Sequence, residues 1–262
     1  GLDGKGRGRR VRGGLKPSAS GGEALIEFLA ETGSTNADLA GRLRAGEPLR
    51  EGHWLVADRQ RSGKGRQGRD WADGTGNFMG STIVRLAAGE SHPHGIALVA
   101  GLAVYETVLP RISQPSRLEL KWPNDLLLAG GKLAGILLER QGDAVIVGIG
   151  VNLAAAPALP DRKTASLADC GPAPDRDRFA ADLEQVFARE LGRWRSGGLG
   201  PVIARWLAVA HPVDTPLTVH GVDAQPLSGH FAGLAADGAL RLRLADGTVR
   251  TVHAGDVSQG GD

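Results

Sequence analysis

Residues 118–152 read LELKWPNDLLLAGGKLAGILLERQGDAVIVGIGVN, and this stretch decides the fold. Leu118, Leu120 and Trp122 alternate with Arg117, Glu119 and Lys121, the period of a strand with one buried face. Asp125 opens the run Leu126-Leu127-Leu128, and Gly130-Gly131 turns the chain back into residues 133–139. Gly142-Asp143 turns it again into residues 144–152. Turns this short join neighbouring antiparallel strands, so the segment is a β-meander.

Upstream, residues 25–30 read as a short strand and residues 54–58 as a buried one. Between them Ser34 or Thr35 is placed to cap a helix, Asp38 completes a capping box with Thr35, and Leu39 and Leu43 share a face. Residues 78–86 have strand composition with period-two alternation, which sets Met79, Ser81, Ile83 and Arg85 on the face opposite Phe78. Pro93 opens a helix in which Leu98, Leu102, Tyr105 and Leu109 form a core stripe. Downstream, residues 175–195 carry Phe179, Leu183, Phe187, Leu191 and Trp194 at helical spacing, and residues 201–210 form a second helix closed by His211-Pro212. From Val213 short apolar runs alternate with the turns Asp237-Gly238 and Asp246-Gly247, the pattern of a small β-barrel.

Strands and helices that do not alternate regularly give an α+β chain: a mixed sheet with flanking helices, plus the small C-terminal barrel. A length of 262 residues fits one large and one small unit. The expected boundaries are a disordered tail over 1–22, a main unit over 23–211 and the barrel over 212–262. A hydrophobic share of 41% with 23% charged residues supplies a core and argues against global disorder. The longest run of apolar residues and glycine, residues 96–105, is half of the roughly 20 needed to span a membrane. No membrane partner is expected, and the chain reads as cytoplasmic. Cys170 stands alone, which removes disulfide frameworks and thiolate metal clusters.

The net charge of +2 conceals an asymmetry. Residues 1–16 hold six basic side chains against Asp3, or +5, so the remainder is −3. A nucleic-acid binder spreads its basic stripe over folded surface, whereas this excess sits in a Gly-rich tail, so no nucleic-acid partner is expected. Only six of the 31 basic residues are lysine, which makes Lys64, Lys121 and Lys132 chemically pointed choices, while Lys163 reads as a surface cation.

Gly63-Lys64-Gly65-Arg66-Gln67-Gly68 matches G-x-G-x-x-G formally, yet no apolar helical stripe follows it, and no Gly-Lys-Ser/Thr makes it a Walker loop. What remains is a loop whose backbone amides can approach phosphate while Arg61, Lys64, Arg66 and Arg69 neutralise it. Taken alone, it reads equally well as a solvated surface loop. Lys121, Asn124 and Asp125 sit at one strand end, and the Gly130-Gly131 turn can fold Lys132 back onto them. Such a group could hold a metal-nucleotide and offset charge growing at phosphorus. Gly148 and Gly150, inside a strand, suggest that a ligand or another backbone comes close.

Ser34-Thr35-Asn36, Gly63 through Arg69 with Trp71, Lys121-Trp122-Pro123-Asn124-Asp125, Lys132-Leu133-Ala134-Gly135-Ile136 and Gly148-Ile149-Gly150-Val151-Asn152 together resemble the ordered signature blocks of biotin protein ligases. The resemblance spans about residues 25–155, and the C-terminal barrel fits that family's last domain. It implies a class II synthetase-like catalytic domain with an SH3-like barrel. It also implies activation of biotin by MgATP to biotinyl-5′-adenylate, then transfer to one lysine of a biotin carboxyl carrier protein from acetyl-CoA carboxylase or another biotin-dependent carboxylase. On this resemblance Ser34, Thr35, Asn36 and Gln60 would contact biotin. Gly63, Gly65 and the rest of the loop would close over the adenylate, with Arg66 and Arg69 toward phosphate. Lys132 would bridge the biotin carboxylate and the α-phosphate, with Lys64 and Arg66 beside it. Trp71, Lys121, Asn124, Asp125, Gly135, Gly150 and Asn152 would complete the binding set.

No residue is expected as a dedicated metal ligand. Two departures stand out. Lys64 occupies a position where the family often has arginine, and the residues before the first strand cannot encode the helix-turn-helix of bifunctional members, which implies the monofunctional type. A lipoate or octanoate ligase shares the architecture, but Ser34, Thr35, Asn36 and Gln60 are more polar than an acyl chain requires.

Overall fold

The computed structural model describes residues 9–11, 26–86, 93–221 and 225–259. Its elements begin with β1 (Arg9–Val11), β2 (Ile26–Leu29), α1 (Thr35–Arg44), β3 (Trp54–Ala57), β4 (Phe78–Arg85) and α2 (Pro93–Val108). The meander follows as β5 (Leu118–Lys121), β6 (Asp125–Leu128), β7 (Gly131–Gln141) and β8 (Ala144–Val151). Then come α3 (Arg176–Gly197), α4 (Leu199–Ala208), β9 (Pro216–His220), β10 (Leu227–Leu234), β11 (Leu240–Arg243), β12 (Val249–Val252) and β13 (Asp256–Gln259).

The first eight strands make one mixed sheet in the order β1-β2-β3-β4-β8-β7-β6-β5, in which only β2 and β3 run parallel. The last five make a separate antiparallel sheet in the order β12-β11-β10-β9-β13. The α+β class and the mixed sheet with flanking helices are as expected. Of the predicted structureless tail, residues 9–11 instead pair antiparallel with β2; residues 1–8 and 12–25 lie outside the described residues.

The faces of β4 divide as the alternation predicts, and both are covered: Phe78 through Val84 are all buried. Phe78 and Val84 join the main core with α2 and α3, while Ile83 packs with Leu39, Leu55 and Ile146 under α1. Glu190 is only 1% exposed; it ties α3 to α4 through Arg205, which also reaches Glu106 of α2. A carboxylate so buried is tolerable because guanidinium groups satisfy it, and the balance keeps it below its ordinary pKa despite burial.

The cap of α1 is one of the two residues expected, but the expected capping box does not form. Ser34 is the cap, its hydroxyl accepting from the Ala37 N–H at 3.4 Å. The residue three positions on is therefore Ala37, no Thr35–Asp38 box forms, and Asp38 takes the Thr32 hydroxyl instead. Thr35, released from capping, is buried.

The two sheets meet around the meander. The Trp122 indole N–H donates to the Gly238 carbonyl at 3.1 Å, Gln259 donates to Glu119 at 3.0 Å, and His211 lies edge-on to Phe231 with centroids 4.2 Å apart. His211 is 2% exposed, and burial, helped by the charge of Lys121, lowers its pKa from 6.5 to about 4. The folded protein therefore resists protonating it. The stability this contributes is whole above pH 6.5 and drains as pH falls toward 4. His211→Phe should abolish a loss of about 2 kcal/mol between pH 7 and pH 5, read as a smaller drop in unfolding free energy than wild type shows. Parallel pH profiles for the two proteins would refute it.

Candidate active site

On the α1 face of the sheet the core gives way to a cavity of about 430 Å³. The cause is visible in β8. Ile146, Gly148 and Gly150 point to the same face, but only Ile146 fills it. A Cβ on Gly148 would sit 2.4 Å from Asn36 Oδ1, and one on Gly150 would sit 2.3 Å from the Trp71 indole. The strand glycines thus make room for two side chains, where the sequence suggested a ligand or a backbone. Trp71 also reaches within 3.0 Å of a Cβ built on Gly135, and Lys132 Nζ stands 5.8 Å over its ring.

The first wall is a polar cap. Gln60 Oε1 accepts from the Thr35 N–H at 2.8 Å and lies 3.0 Å from Thr35 Oγ1, while Asn36 Nδ2 donates to Glu139 at 2.5 Å. Ser81, absent from the expected set, sits between Thr35 and Asn36 at 2.6 Å from each. Ser34 is half-buried at the entrance, with a hydroxyl proton still to give.

The second wall is cationic. Register across the meander sets Lys121 opposite Asp125 and Asp125 opposite Gly135, and a bulge after Leu126 brings Lys132 opposite Leu127. Lys132 Nζ ends 2.7 Å from Asp125, both side chains about one-fifth exposed. The hairpin therefore does fold the two groups together. Asn124 donates to the Ile136 carbonyl at 2.5 Å and accepts from Arg66 at 3.4 Å.

The Gly63 loop closes on itself, with the Gly65 N–H donating to the Arg69 carbonyl at 2.7 Å and the Trp71 N–H to the Gly63 carbonyl at 2.8 Å. Gln67 and Gly68 take left-handed φ values of 55° and 73° to make the turn. Arg66 and Arg69 are held by Asp256 of β13, at 3.5 and 2.6 Å. Burial pulls the Arg66 guanidinium below its ordinary value, against the attraction of Asp256 and Asp125, and it remains charged. Lys64 pairs with Asp70 at 2.7 Å in a more exposed position.

Most expected site residues line this one cavity; Gly63, Gln67 and Gly68 do not, and Arg61, expected to neutralise phosphate, instead pairs with Glu31 at 2.5 Å in an exposed position. Gly63 is a packing residue, since a Cβ there would press on Gln60 and Trp71. Asn152 is chiefly a strap: its amide donates to the carbonyls of Lys132 and Ala165, which fixes the start of β7. Lys163 donates to the Ala129 carbonyl at 2.8 Å and is exposed as expected, yet it stands on the cavity rim with Arg162. The rim loop 157–164 and Asp256 were not foreseen, and no local pattern marks them. In all, seven cationic side chains face four carboxylates, so the lining carries +3. No group of three potential metal ligands occurs among the described residues. An apolar-floored cavity with a hydrogen-bonding cap at one end and clustered cations at the other suits a small polar-headed acid beside a polyphosphate.

Comparisons with known proteins agree. A family model described as "Biotin/lipoate A/B protein ligase family" matches residues 32–153, and "Biotin protein ligase C terminal domain" matches residues 218–260. The chain is 37% identical to a biotin–[acetyl-CoA-carboxylase] ligase of Paracoccus denitrificans, over 89% of this chain and all of that protein. It is also 37% identical to the enzyme of that name from Mycobacterium tuberculosis, over 91% of this chain and 90% of that one. The fold matches a biotin protein ligase from Aquifex aeolicus, solved with biotin and ATP, at a TM-score of 0.76 and 24% identity, covering 89% of this chain and 97% of the other.

Proposed function

We propose, because this chain belongs to the biotin protein ligase family, that it activates biotin with MgATP to biotinyl-5′-AMP and transfers the biotinyl group to a lysine of a biotin carboxyl carrier protein. The observation that carries this reading is the meeting, in one cavity, of a hydrogen-bonding cap and a cationic wall separated by the Trp71 ring.

In the first step a biotin carboxylate oxygen attacks the α-phosphorus of ATP, and pyrophosphate leaves. Two anions must meet, so the site has to cancel their repulsion first. Lys132 lies at the boundary between cap and cation wall, where its ammonium can touch the carboxylate and the α-phosphoryl oxygens together. Asp125 aims it. Arg66 and Arg69 supply forked donors to phosphate, exchanging Asp256 for it. Asp125 and Asn124 offer hard oxygens that would hold Mg²⁺ together with substrate phosphates, and the ion would supply further charge neutralisation there. In the second step the carrier's lysine amine attacks the acyl carbon, and AMP leaves with the bonding pair. The mixed anhydride must be kept from water until then, which gives the loop of residues 63–69 its task.

The cap favours biotin over lipoate, because its buried polar atoms would go unsatisfied against an acyl chain. Mixed with biotin, MgATP and a biotin carboxyl carrier domain, the protein should raise the carrier's mass by one biotinyl group, with pyrophosphate released in equal amount. Mass gain with lipoate and none with biotin would overturn the assignment.

A further inference from the structure

The cap is short of one proton. Two orientations within it are dictated by their partners: Gln60 turns its oxygen to the Thr35 backbone N–H, and Asn36 turns its nitrogen to the Glu139 carboxylate. Between the two amide oxygens stand two hydroxyls, in three contacts: Gln60 Oε1 to Thr35 Oγ1 at 3.0 Å, Thr35 Oγ1 to Ser81 Oγ at 2.6 Å, and Ser81 Oγ to Asn36 Oδ1 at 2.6 Å. Each hydroxyl brings one proton and neither amide oxygen brings any, so only two of the three contacts can be hydrogen bonds.

The deficit can be located. Oxygens 2.6 Å apart without a proton between them repel strongly, and Gln60 Oε1 already has a donor. The unprotonated contact is therefore the longest, between Thr35 and Gln60. Thr35 gives its proton to Ser81, Ser81 gives its own to Asn36, and Thr35 Oγ1 and Gln60 Oε1 are left as two acceptors side by side. All three residues border the cavity, but Ser81 is 0% exposed where Thr35 and Gln60 keep 3% and 8%.

We propose that Ser81 is a positioning residue that sets the polarity of this edge. By drawing the Thr35 proton inward it makes the edge an obligate acceptor that demands an N–H from the ligand. A cyclic urea has such a group beside its carbonyl, and an acyl chain or a cyclic ester has none. This rests on the biotin-activating reading above and names the residue through which the head group is chosen. Glu139 has a part in it, since its carboxylate fixes the Asn36 amide at the far end of the relay.

The test uses the two analogues of biotin in which one ureido N–H is replaced by ring oxygen, with the carboxylate unchanged, and follows pyrophosphate release. With wild type, the analogue lacking the N–H aimed at Thr35 should show a KM at least 10-fold above that of biotin, with kcat within a few-fold. In Ser81→Ala the Thr35 proton can turn to Gln60, so the KM for biotin should rise about 10-fold while that for the discriminated analogue barely moves, and the ratio should fall toward one. Thr35→Val, which also lacks the inward-drawn proton, should narrow the ratio in the same way and guards against misfolding of a single variant. An unchanged biotin KM in Ser81→Ala, or an equal rise for biotin and analogue, would overturn the proposal and leave Ser81 a packing residue. Failure of wild type to release pyrophosphate with biotin is a different result, which removes the activity and the proposal together.

Discussion

Lys132→Ala should lower biotin-dependent pyrophosphate release by on the order of 10² to 10³, the usual effect of deleting one group aimed at developing charge. Its ammonium is the cation that touches both ends of the site, 2.7 Å from Asp125 on the nucleotide side and 5.8 Å from the centre of the Trp71 ring toward the cap. Other cations of the lining are held elsewhere: Lys64 by Asp70, Arg69 by Asp256, and Arg162 by Asp161. The loss should fall mainly on kcat, because the charge matters most when the carboxylate and phosphate share a pentavalent phosphorus. Transfer from biotinyl-5′-AMP supplied ready-made should suffer less. Stability should change modestly, since the mutation strands a partly exposed Asp125 rather than opening a core cavity. Pairing it with Asp125→Asn should restore the melting temperature without restoring activity. Near-normal pyrophosphate release by Lys132→Ala would demote the residue to a salt-bridge partner.

The legibility of this site follows from the range of the forces that build it. The meander could be read because each turn is fixed locally by Gly130-Gly131 or Gly142-Asp143, and α3 because Phe179, Leu183, Phe187 and Trp194 repeat on one face. The signature blocks are strings of neighbours, so they survive as strings. Ser81 was hidden by the same logic. It sits in a strand between Met79 and Ile83 on one face, and only the arrival of α1, with Thr35 and Asn36, turns that face into the floor of the cap. Asp256 was hidden more completely. It lies about 190 residues from Arg66, and its place depends on how the second sheet seats against the meander through Trp122, Glu119 and His211. The capping box failed for a simpler reason. Ser34 and Thr35 are both competent caps, and the choice between them was settled by Gln60, which engages Thr35 from 25 residues away.

Arg66→Gly should uncouple making the adenylate from keeping it. In the structure Arg66 joins the loop to two separate bodies, the Asn124 turn of the first sheet and Asp256 of the second, while its neighbours Gln67 and Gly68 hold a left-handed turn that brings it there. Glycine at this position deletes both contacts and adds backbone freedom to a segment that already contains three glycines, so the open form gains on two counts. A charged hydrogen bond contributes about 1.5 to 3 kcal/mol, and losing that from the closed state should speed adenylate escape by at least 10-fold. Lys132 and Asp125 are untouched by the change, so adenylate should still form, though more slowly for want of one phosphate donor. An escaping mixed anhydride reacts with any exposed lysine, and the ratio of bystander to carrier biotinylation should climb with the escape rate. Asp256→Asn offers an independent handle, because it weakens the same tether from the other side without altering the loop. It should raise the bystander ratio in the same direction and by less, since Asn124 still holds Arg66. If Arg66→Gly leaves both the dissociation rate and the bystander ratio where wild type has them, residues 63–69 do not retain the intermediate, and water must be excluded by some other part of the cavity wall.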